Sequence, residues 1–300
     1  MPATLVECVP NFSEGRDPGK IDAIVEAIRG AGAAVLDRTS DADHNRSVVT
    51  FAAPTGVVEE AAFRAVREAA RLIDLRRHQG AHPRIGAADV VPFVPVKGVT
   101  LEDCARLAER TGWRIWEALG VPVYLYEAAA RRPQCRNLAE IRRGNFEGLR
   151  EEVRSNPQRR PDFGGPELHE SAGAVVVGAR KFLIAFNVNL ATADVEVAKR
   201  IARKVRFSSG GLPNVKAMGV RLESRNLAQV SMNLTDFEET PIHVAVEAVR
   251  AEAAREGVGV VGSELIGLVP KKALEMAAAY YLAIENFASS MVLENRLEEA

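Results

Sequence analysis

Twice along its 300 residues the sequence runs through the same succession of patterns: strand, helix, strand, strand, helix, strand. In the first half, Leu5 to Pro10 reads as a strand and Asn11 to Pro18 as the loop after it. Asp17 suits an N-cap with Pro18 at the first helical position, where a missing amide proton costs nothing. Ile21, Ile24, Val25 and Ile28 then keep helical spacing until Gly30 and Gly32 end the helix. Ala34 to Asp37 and Ser47 to Ala52 read as strands on either side of a polar loop, Arg38 to Arg46. A long amphipathic helix follows from about Gly56 to Asp74, and then a histidine-bearing loop leads into the apolar run Val90 to Val96. That order is the split βαβ unit of a ferredoxin-like sheet. A helix over Leu101 to Leu119 and the run Val121 to Tyr126 widen it.

The stretch Asn156 to Pro166 changes character, being polar and rich in proline and glycine, which is linker composition. Beyond it, Ala174 to Val177 and Phe182 to Leu190 are strand material, and Thr192 to Val205 is a helix with Thr192 as its expected N-cap. Val215 to Leu222 and Ala228 to Leu234 pair as a hairpin around Ser224-Arg225-Asn226. A helix from Ile242 to Glu256 leads to Val258-Gly259-Val260-Val261, and helices over Lys271 to Tyr281 and Ile284 to Leu293 close the chain. The expected fold class is α/β (α+β): two ferredoxin-like subdomains with mainly antiparallel or mixed sheets, over residues 1–170 and 171–300. The first would carry a catalytic loop, and a cleft between the two would hold a small molecule.

Bulk properties narrow the function. Apolar content of 47% with 26% charged residues is ordinary for a soluble globular chain. A net charge of -1 lacks the basic surplus of a nucleic-acid binder, and no apolar run is long enough to span a membrane. The first residues, Met1 to Cys8, show no basic region followed by an apolar core, so no signal peptide is expected. Cys8, Cys104 and Cys135 are 3 cysteines without metal-like spacing, which suits thiols in a reducing cytoplasm.

The densest chemical signal is His78-Gln79-Gly80-Ala81-His82-Pro83-Arg84-Ile85-Gly86-Ala87-Ala88-Asp89. It puts titratable imidazoles on a loop at a strand edge, where scaffolds present their chemistry. Two histidines four apart can bind zinc on one helix face, but Gly80, Pro83 and Gly86 oppose a helix and no zinc-protease glutamate stands between them. A structural reading, with His82 capping a turn, also fits this stretch alone. The polar loop gathers Asp37, Asp41, Asp43, His44, Asn45 and Arg46. It is either a solvated turn or a site where Arg46 holds a carboxylate and an acid steadies a cationic group. Lys199, Arg200, Arg203 and Lys204 make a basic stripe on one helix, a solvated face or a docking strip for an anionic tail. No GxGxxG, Walker A or GxSxG pattern occurs, which removes support for nucleotide cradling and a nucleophile elbow.

Taken together, the motifs carry a resemblance. Val6-Glu7-Cys8-Val9-Pro10-Asn11-Phe12-Ser13-Glu14-Gly15, Asn45-Arg46-Ser47, His82-Pro83-Arg84-Ile85-Gly86-Ala87, Pro122-Val123-Tyr124-Leu125-Tyr126 and Pro161-Asp162-Phe163-Gly164 all contribute. So do Gly178 through Asn187, Gln229-Val230-Ser231-Met232-Asn233-Leu234 and Gly267-Leu268-Val269-Pro270. From about residue 5 to about 290 the chain resembles the glutamate formiminotransferases. The resemblance implies transfer of a formimino group from N-formimino-L-glutamate to tetrahydrofolate, which is a co-substrate, with no metal, in a cytoplasmic homodimer of histidine degradation. It implies that His82 is the catalytic histidine and that folate lies along Phe163 to Ala172, through Phe163, Gly164, Gly165, Pro166, His169 and Ala172, with Arg180 nearby. The family's glutamate before the His-Pro-Arg triplet is Ala81 here. Thr39 stands where animal members carry an acid, so Asp37, Asp41 or Asp43 would have to substitute.

The mechanism can be argued from chemistry alone. The attacking N5 amine must lose a proton and the departing glutamate nitrogen must gain one, and one neutral imidazole between them can do both. Asp37, Asn45, Arg46 and Arg84 are the expected substrate-binding residues, with the arginines on carboxylates, and the basic stripe would meet a polyglutamate tail. Three rival readings stand beside this one. They are formyl transfer from N-formylglutamate, which would need an oxyanion stabiliser, a folate-binding protein without turnover, and a metal-dependent hydrolase using His78 and His82.

Overall fold

The computed structural model describes residues 4–299; Met1, Pro2 and Ala3, which contribute to the leader reading above, lie outside the described residues. Two compact units divide the chain between Lys181 and Phe182, later than the boundary expected at residue 170.

The first unit opens with β1 (Leu5–Cys8) and the short β2 (Asn11–Phe12), followed by α1 (Pro18–Arg29). Asp17 caps α1, its Oδ1 accepting the amides of Gly19 at 3.0 Å and Lys20 at 3.4 Å, and Pro18 takes the first helical position as expected. β3 (Ala34–Asp41) and β4 (Arg46–Ala53) follow. The polar loop is therefore much shorter than its composition suggests. Arg38 to Asp41 extend the strand because each residue pairs across to β4, Asp41 opposite Arg46, so that only residues 42–45 turn. Next come α2 (Thr55–Leu72), β5 (Ala88–Lys97), α3 (Leu101–Leu119) and β6 (Val123–Glu127). A capping box at Thr100 starts α3 and Gly120 in the left-handed region stops it, as its periodicity requires. Two helices, α4 (Leu138–Ile141) and α5 (Asn145–Ser155), precede β7 (Val175–Ala179).

β3, β4, β1 and β5 pair antiparallel in that order, while β7 joins β5 and β6 in parallel. The parallel strands lie where helical crossovers can reach them. Phe12, Ile24, Phe51, Phe93, Leu107 and Val177 are among the buried residues of the main core. A smaller core with Ile85, Tyr124, Ile141, Leu149 and Val176 lies on the other face. β7 belongs to this sheet and not to the second half as expected. Its Val175, Val176 and Val177 are all fully buried, the unbroken apolar run of a parallel strand covered on both faces, and such a run does not tell which sheet it joins.

The Pro/Gly stretch is likewise no free linker. Asp162 and Phe163 donate their amides to the Val123 carbonyl at 2.8 and 3.1 Å, and the Asp162 carboxylate accepts the Leu125 amide at 2.8 Å. Gly164, at φ 96, lies so close to Trp116 that a β-carbon would sit 2.8 Å from its ring. The glycine serves that close approach, so composition alone misled.

The second unit contains β8 (Ile184–Leu190), α6 (Val195–Val205), β9 (Val215–Leu222), β10 (Leu227–Leu234), α7 (Ile242–Arg255) and β11 (Val260–Ile266). Its sheet runs β11-β8-β10-β9, antiparallel throughout. Ile184, Val188, Val230, Met232, Ile201 and Val249 fill its core. Asp194 rather than Thr192 caps α6, because Thr192 is spent accepting the Asp194 amide at 3.1 Å. α8 (Lys271–Tyr281) and α9 (Leu293–Glu299) end the unit. The helix expected over Ile284 to Leu293 does not form: Ala283 sits at φ 51 and breaks the helical path, and only a short 3-10 turn, Ser289–Met291, precedes α9.

Candidate active site around His82

The loop between α2 and β5 is fixed before its chemistry begins. Asp74 caps a 3-10 turn, Leu75–Arg77, and the Leu75 amide reaches the Ser171 carbonyl at 2.8 Å. His78 then uses both ring nitrogens. Arg84 Nε donates to its Nδ1 at 3.0 Å, and an arginine only donates. Nε2 therefore carries the proton, which it gives to the Asn45 carbonyl at 2.9 Å. No lone pair of His78 is left for a metal, and His78 serves as a structural brace between the two loops. Among the described residues there is no group of three or more His, Cys, Asp or Glu that could hold a metal ion.

Arg84 is the centre of that brace. Its Nη1 and Nη2 fork onto Glu147 at 2.8 and 2.7 Å and its side chain is only 10% exposed. A guanidinium bound so fully holds the loop to α5 and has little left to offer a substrate carboxylate.

His82 stands apart from these bonds, half-buried between the loop and the sheet. Burial, followed by the positive charges of Arg46 and Arg142, pushes its pKa down from 6.5 to about 4, and Asp89 opposes them. At neutral pH the imidazole is a neutral base. Asp89 opens β5 as a lone carboxylate before an apolar run. Its Oδ1 accepts the Ile85 amide at 2.7 Å and its Oδ2 binds Arg142, with Nε at 2.9 Å.

Arg46 begins β4 and donates through Nη2 to Asn11 Oδ1 on β2. Its Nε is buried and makes no hydrogen bond to protein. Burial and the neighbouring Arg142 lower its pKa to about 10, against Asp89 and Asp41. A buried, unmatched guanidinium donor with a second guanidinium beside it is an invitation to an anion. Asn45 is at φ 48 and buried. Its side chain accepts the Gly15 amide at 2.9 Å and donates to the Gln79 carbonyl at 3.0 Å, so it ties three loops together.

Asn11, His44, Asn45, Arg46, His82 and Asp89, together with the braced His78 and Arg84, line a cavity of about 10 Å³. That is room for about one water molecule, so an end group of a substrate fits within it and the remainder must lie outside. Asp37 is elsewhere: it pairs opposite Thr50 and lines a groove with Asp22, Val25 and Glu26 of α1.

The segment expected to hold folate spans two surroundings. Phe163 meets Trp113 edge-on at 5.6 Å and lies under the Arg131 guanidinium at 4.8 Å. These three, with Arg106, Glu109 and Arg110, border an open hollow of about 670 Å³. Gly164 and Gly165 lie in the left-handed region and Pro166 follows. At the other end, His169 Nδ1 accepts the Ala172 amide at 3.1 Å, and Ala172 accepts the Ala87 amide at 2.9 Å. The segment thus runs from the Trp113 shelf to the loop bearing His82. Arg180 follows β7 and lies beside Glu7, whose pKa burial raises and Arg180 lowers; it does not line the cavity. In the basic stripe, Lys199 is paired with Glu196 at 2.8 Å and Arg200 with Glu256 at 2.7 Å, which weakens its claim on an anionic tail.

Four residues of the site escaped sequence reasoning as functional: Asn11, His44, Asp89 and Arg142. Asp89 left a trace, since one charge entering a buried strand needs a partner. His44 was visible only as part of a polar loop, and Arg142 had no local signal.

Comparison with known proteins bears on the whole chain. Residues 5–180 match the model of the formiminotransferase domain, N-terminal subdomain, and residues 185–298 that of the formiminotransferase domain. The chain is 48% identical over 300 residues to a glutamate formimidoyltransferase of Thermoplasma acidophilum, covering 99% of this chain and 98% of the relative. It is 46% identical over 297 residues to one of Streptococcus pyogenes serotype M1, covering 98% and 99%. It is 48% identical over 284 residues to a formimidoyltransferase-cyclodeaminase of Rattus norvegicus, covering 92% of this chain and 52% of that longer protein.

Proposed function

This chain belongs to the formiminotransferase family, and from that premise we propose that it transfers the formimino group of N-formimino-L-glutamate to tetrahydrofolate. The products are 5-formiminotetrahydrofolate and L-glutamate, a step of histidine degradation, and His82 is the acid–base group. The observation that carries the reading is a neutral, half-buried imidazole beside an arginine whose buried Nε has no protein partner.

Tetrahydrofolate supplies the N5 amine as nucleophile. His82 takes the N5 proton as the new N–C bond forms, and the glutamate nitrogen departs with a proton returned to it. Such catalysis is typically worth about 10²–10⁴-fold, and holding both reactants together supplies much of the rest. Arg46 suits a substrate carboxylate, because its open Nε completes a charge-assisted hydrogen bond there. The Trp113–Phe163 shelf and its arginines suit a flat aromatic group with an anionic tail, which supports folate along Phe163 to Ala172. The same reading carries a cytoplasmic homodimer of ferredoxin-like subdomains. The repeated strand–helix order in both units supports the last of these, and no helix among the described residues is long and apolar enough to cross a membrane.

The test is formimino transfer to tetrahydrofolate by wild type and His82→Ala in the presence of chelator, beside a folate titration of both and a parallel assay with N-formylglutamate. Turnover by the wild type, lost by orders of magnitude in the variant with folate binding kept, is expected. Binding without turnover in either protein would sink the enzyme reading, and a preference for N-formylglutamate would replace the donor.

A further inference from the structure

We propose that His44, held by Asp41, is a second proton-transfer group of this site, protonating the departing glutamate nitrogen while His82 takes the proton from N5. The proposal rests on the formimino-transfer reading and adds a residue to it.

His44 lies in the tight turn between β3 and β4, and its ring centroid is 6.4 Å from that of His82, edge toward face at 62°. Both rings line the same cavity. The turn is locked to the catalytic loop in three ways. The Ala81 amide reaches the Asp43 carbonyl at 3.2 Å, Asn45 Nδ2 reaches the Gln79 carbonyl at 3.0 Å, and Gly80 approaches His44 so closely that a β-carbon would lie 2.3 Å from the His44 carbonyl oxygen. The two loops that carry the imidazoles are therefore tied to each other, as a site built on loops requires.

Asp41 then orients the ring. Its Oδ2 is 3.0 Å from His44 Nδ1 and its Oδ1 accepts the His44 amide at 2.8 Å. A carboxylate on Nδ1 leaves Nε2 as the working nitrogen, which is the way an acid orients a catalytic imidazole. His44 is also 52% exposed, so a substrate end group at the cavity mouth can touch it.

Charge explains why two groups serve better than one. His82 faces the guanidinium charges of Arg46 and Arg142, opposed by Asp89, whereas His44 has the Asp41 carboxylate 3.0 Å from its Nδ1. The balance of the reaction is simple. The N5–C bond forms as His82 accepts the N5 proton, and the C–N bond to glutamate breaks with its electron pair remaining on nitrogen. That pair takes the proton of His44 Nε2. His82 gives its proton back through the cavity or to water and His44 regains one, so both return to their starting states with no outside reactant.

The experiment compares wild type, His44→Ala, His44→Gln and Asp41→Asn. Each is assayed with N-formimino-L-glutamate and with a formimino derivative of a much less basic amine, with and without added imidazole. His44→Ala is expected to lower kcat about 10²-fold with KM changed only a few-fold. The deficit should shrink for the less basic leaving amine, which needs no proton, and imidazole should restore part of the rate. His44→Gln, which keeps the turn's polarity, should be as slow as His44→Ala, and Asp41→Asn should fall between them and wild type. Unchanged kcat in His44→Ala overturns the proposal. So does a deficit that is equal for both leaving groups, unmoved by imidazole and rescued by glutamine, for that describes a structural turn residue. A wild type without transfer refutes the formimino-transfer reading itself and the proposal with it, whereas a wild type that turns over and needs only His82 refutes the role of His44 alone.

Discussion

Replacing Arg46 with methionine removes one of the two positive charges that act on His82 and keeps most of the volume of the side chain. Burial is the largest cause of the depressed His82 pKa, with Arg46 next and Arg142 after it. The substitution should therefore raise the value from about 4 by about one pH unit, without restoring the ordinary 6.5. The assay is a nuclear magnetic resonance titration of imidazole nitrogens in ¹⁵N-histidine-labelled protein, which has 5 histidines, with His82→Ala to assign the signal. The sign of the linked stability effect follows from the direction of the shift. Below about pH 6.5 the unfolded chain protonates this histidine and the folded chain refuses the proton until about pH 4. Stability contributed here is thus present above pH 6.5 and is lost as pH falls through that window. The interval is worth about 3 kcal/mol at about 1.4 kcal/mol per pH unit, and solvent screening of a half-buried ring reduces that to about 1–2 kcal/mol. Arg46→Met should flatten part of this acid limb in urea melts. A wild-type His82 titrating near 6.5, or one unmoved by loss of Arg46, would refute the electrostatic account.

Other perturbations test the frame of the site. Asp89→Asn leaves the partly buried Arg142 without its carboxylate and should cost about 3 kcal/mol in chemical denaturation; an unchanged midpoint would show that the pair is dispensable. Gly80→Ala forces a β-carbon against the His44 carbonyl and should lower kcat by about 10²-fold through misplacement of the loop, with secondary structure by circular dichroism intact. Arg84→Met should reduce stability by about 2–3 kcal/mol and leave the KM for the formimino donor within a few-fold. A large rise in KM would return Arg84 to the substrate carboxylate.

Much of the molecule was legible because it is local. Alternating and helical spacings fall within a few residues of each other, so β4, α1 and α3 could be placed from the sequence, as could the Asp17 cap and the repeated strand–helix order in both halves. The His82 loop was legible because glycine, proline and histidine together are costly unless a turn and a titratable group are wanted. What depends on distant partners was not legible. An apolar run such as Val175 to Val177 records burial but not the neighbouring strand. A proline-glycine stretch records tight turns but not the Trp116 ring they serve. Asn45, Arg46, His82 and Asp89 are local letters whose meeting needs β2, β4 and β5 to pair in register. Arg84 looked like a free cation until Glu147, 63 positions away, claimed it. Sequence by itself determined most of the strands and long helices and the loop that bears the histidine, since those follow from steric and hydrophobic preferences of neighbouring residues. Only the tertiary structure decided which imidazole is braced and which is left a base beside two positive charges, because burial and charge are properties of the assembled surroundings.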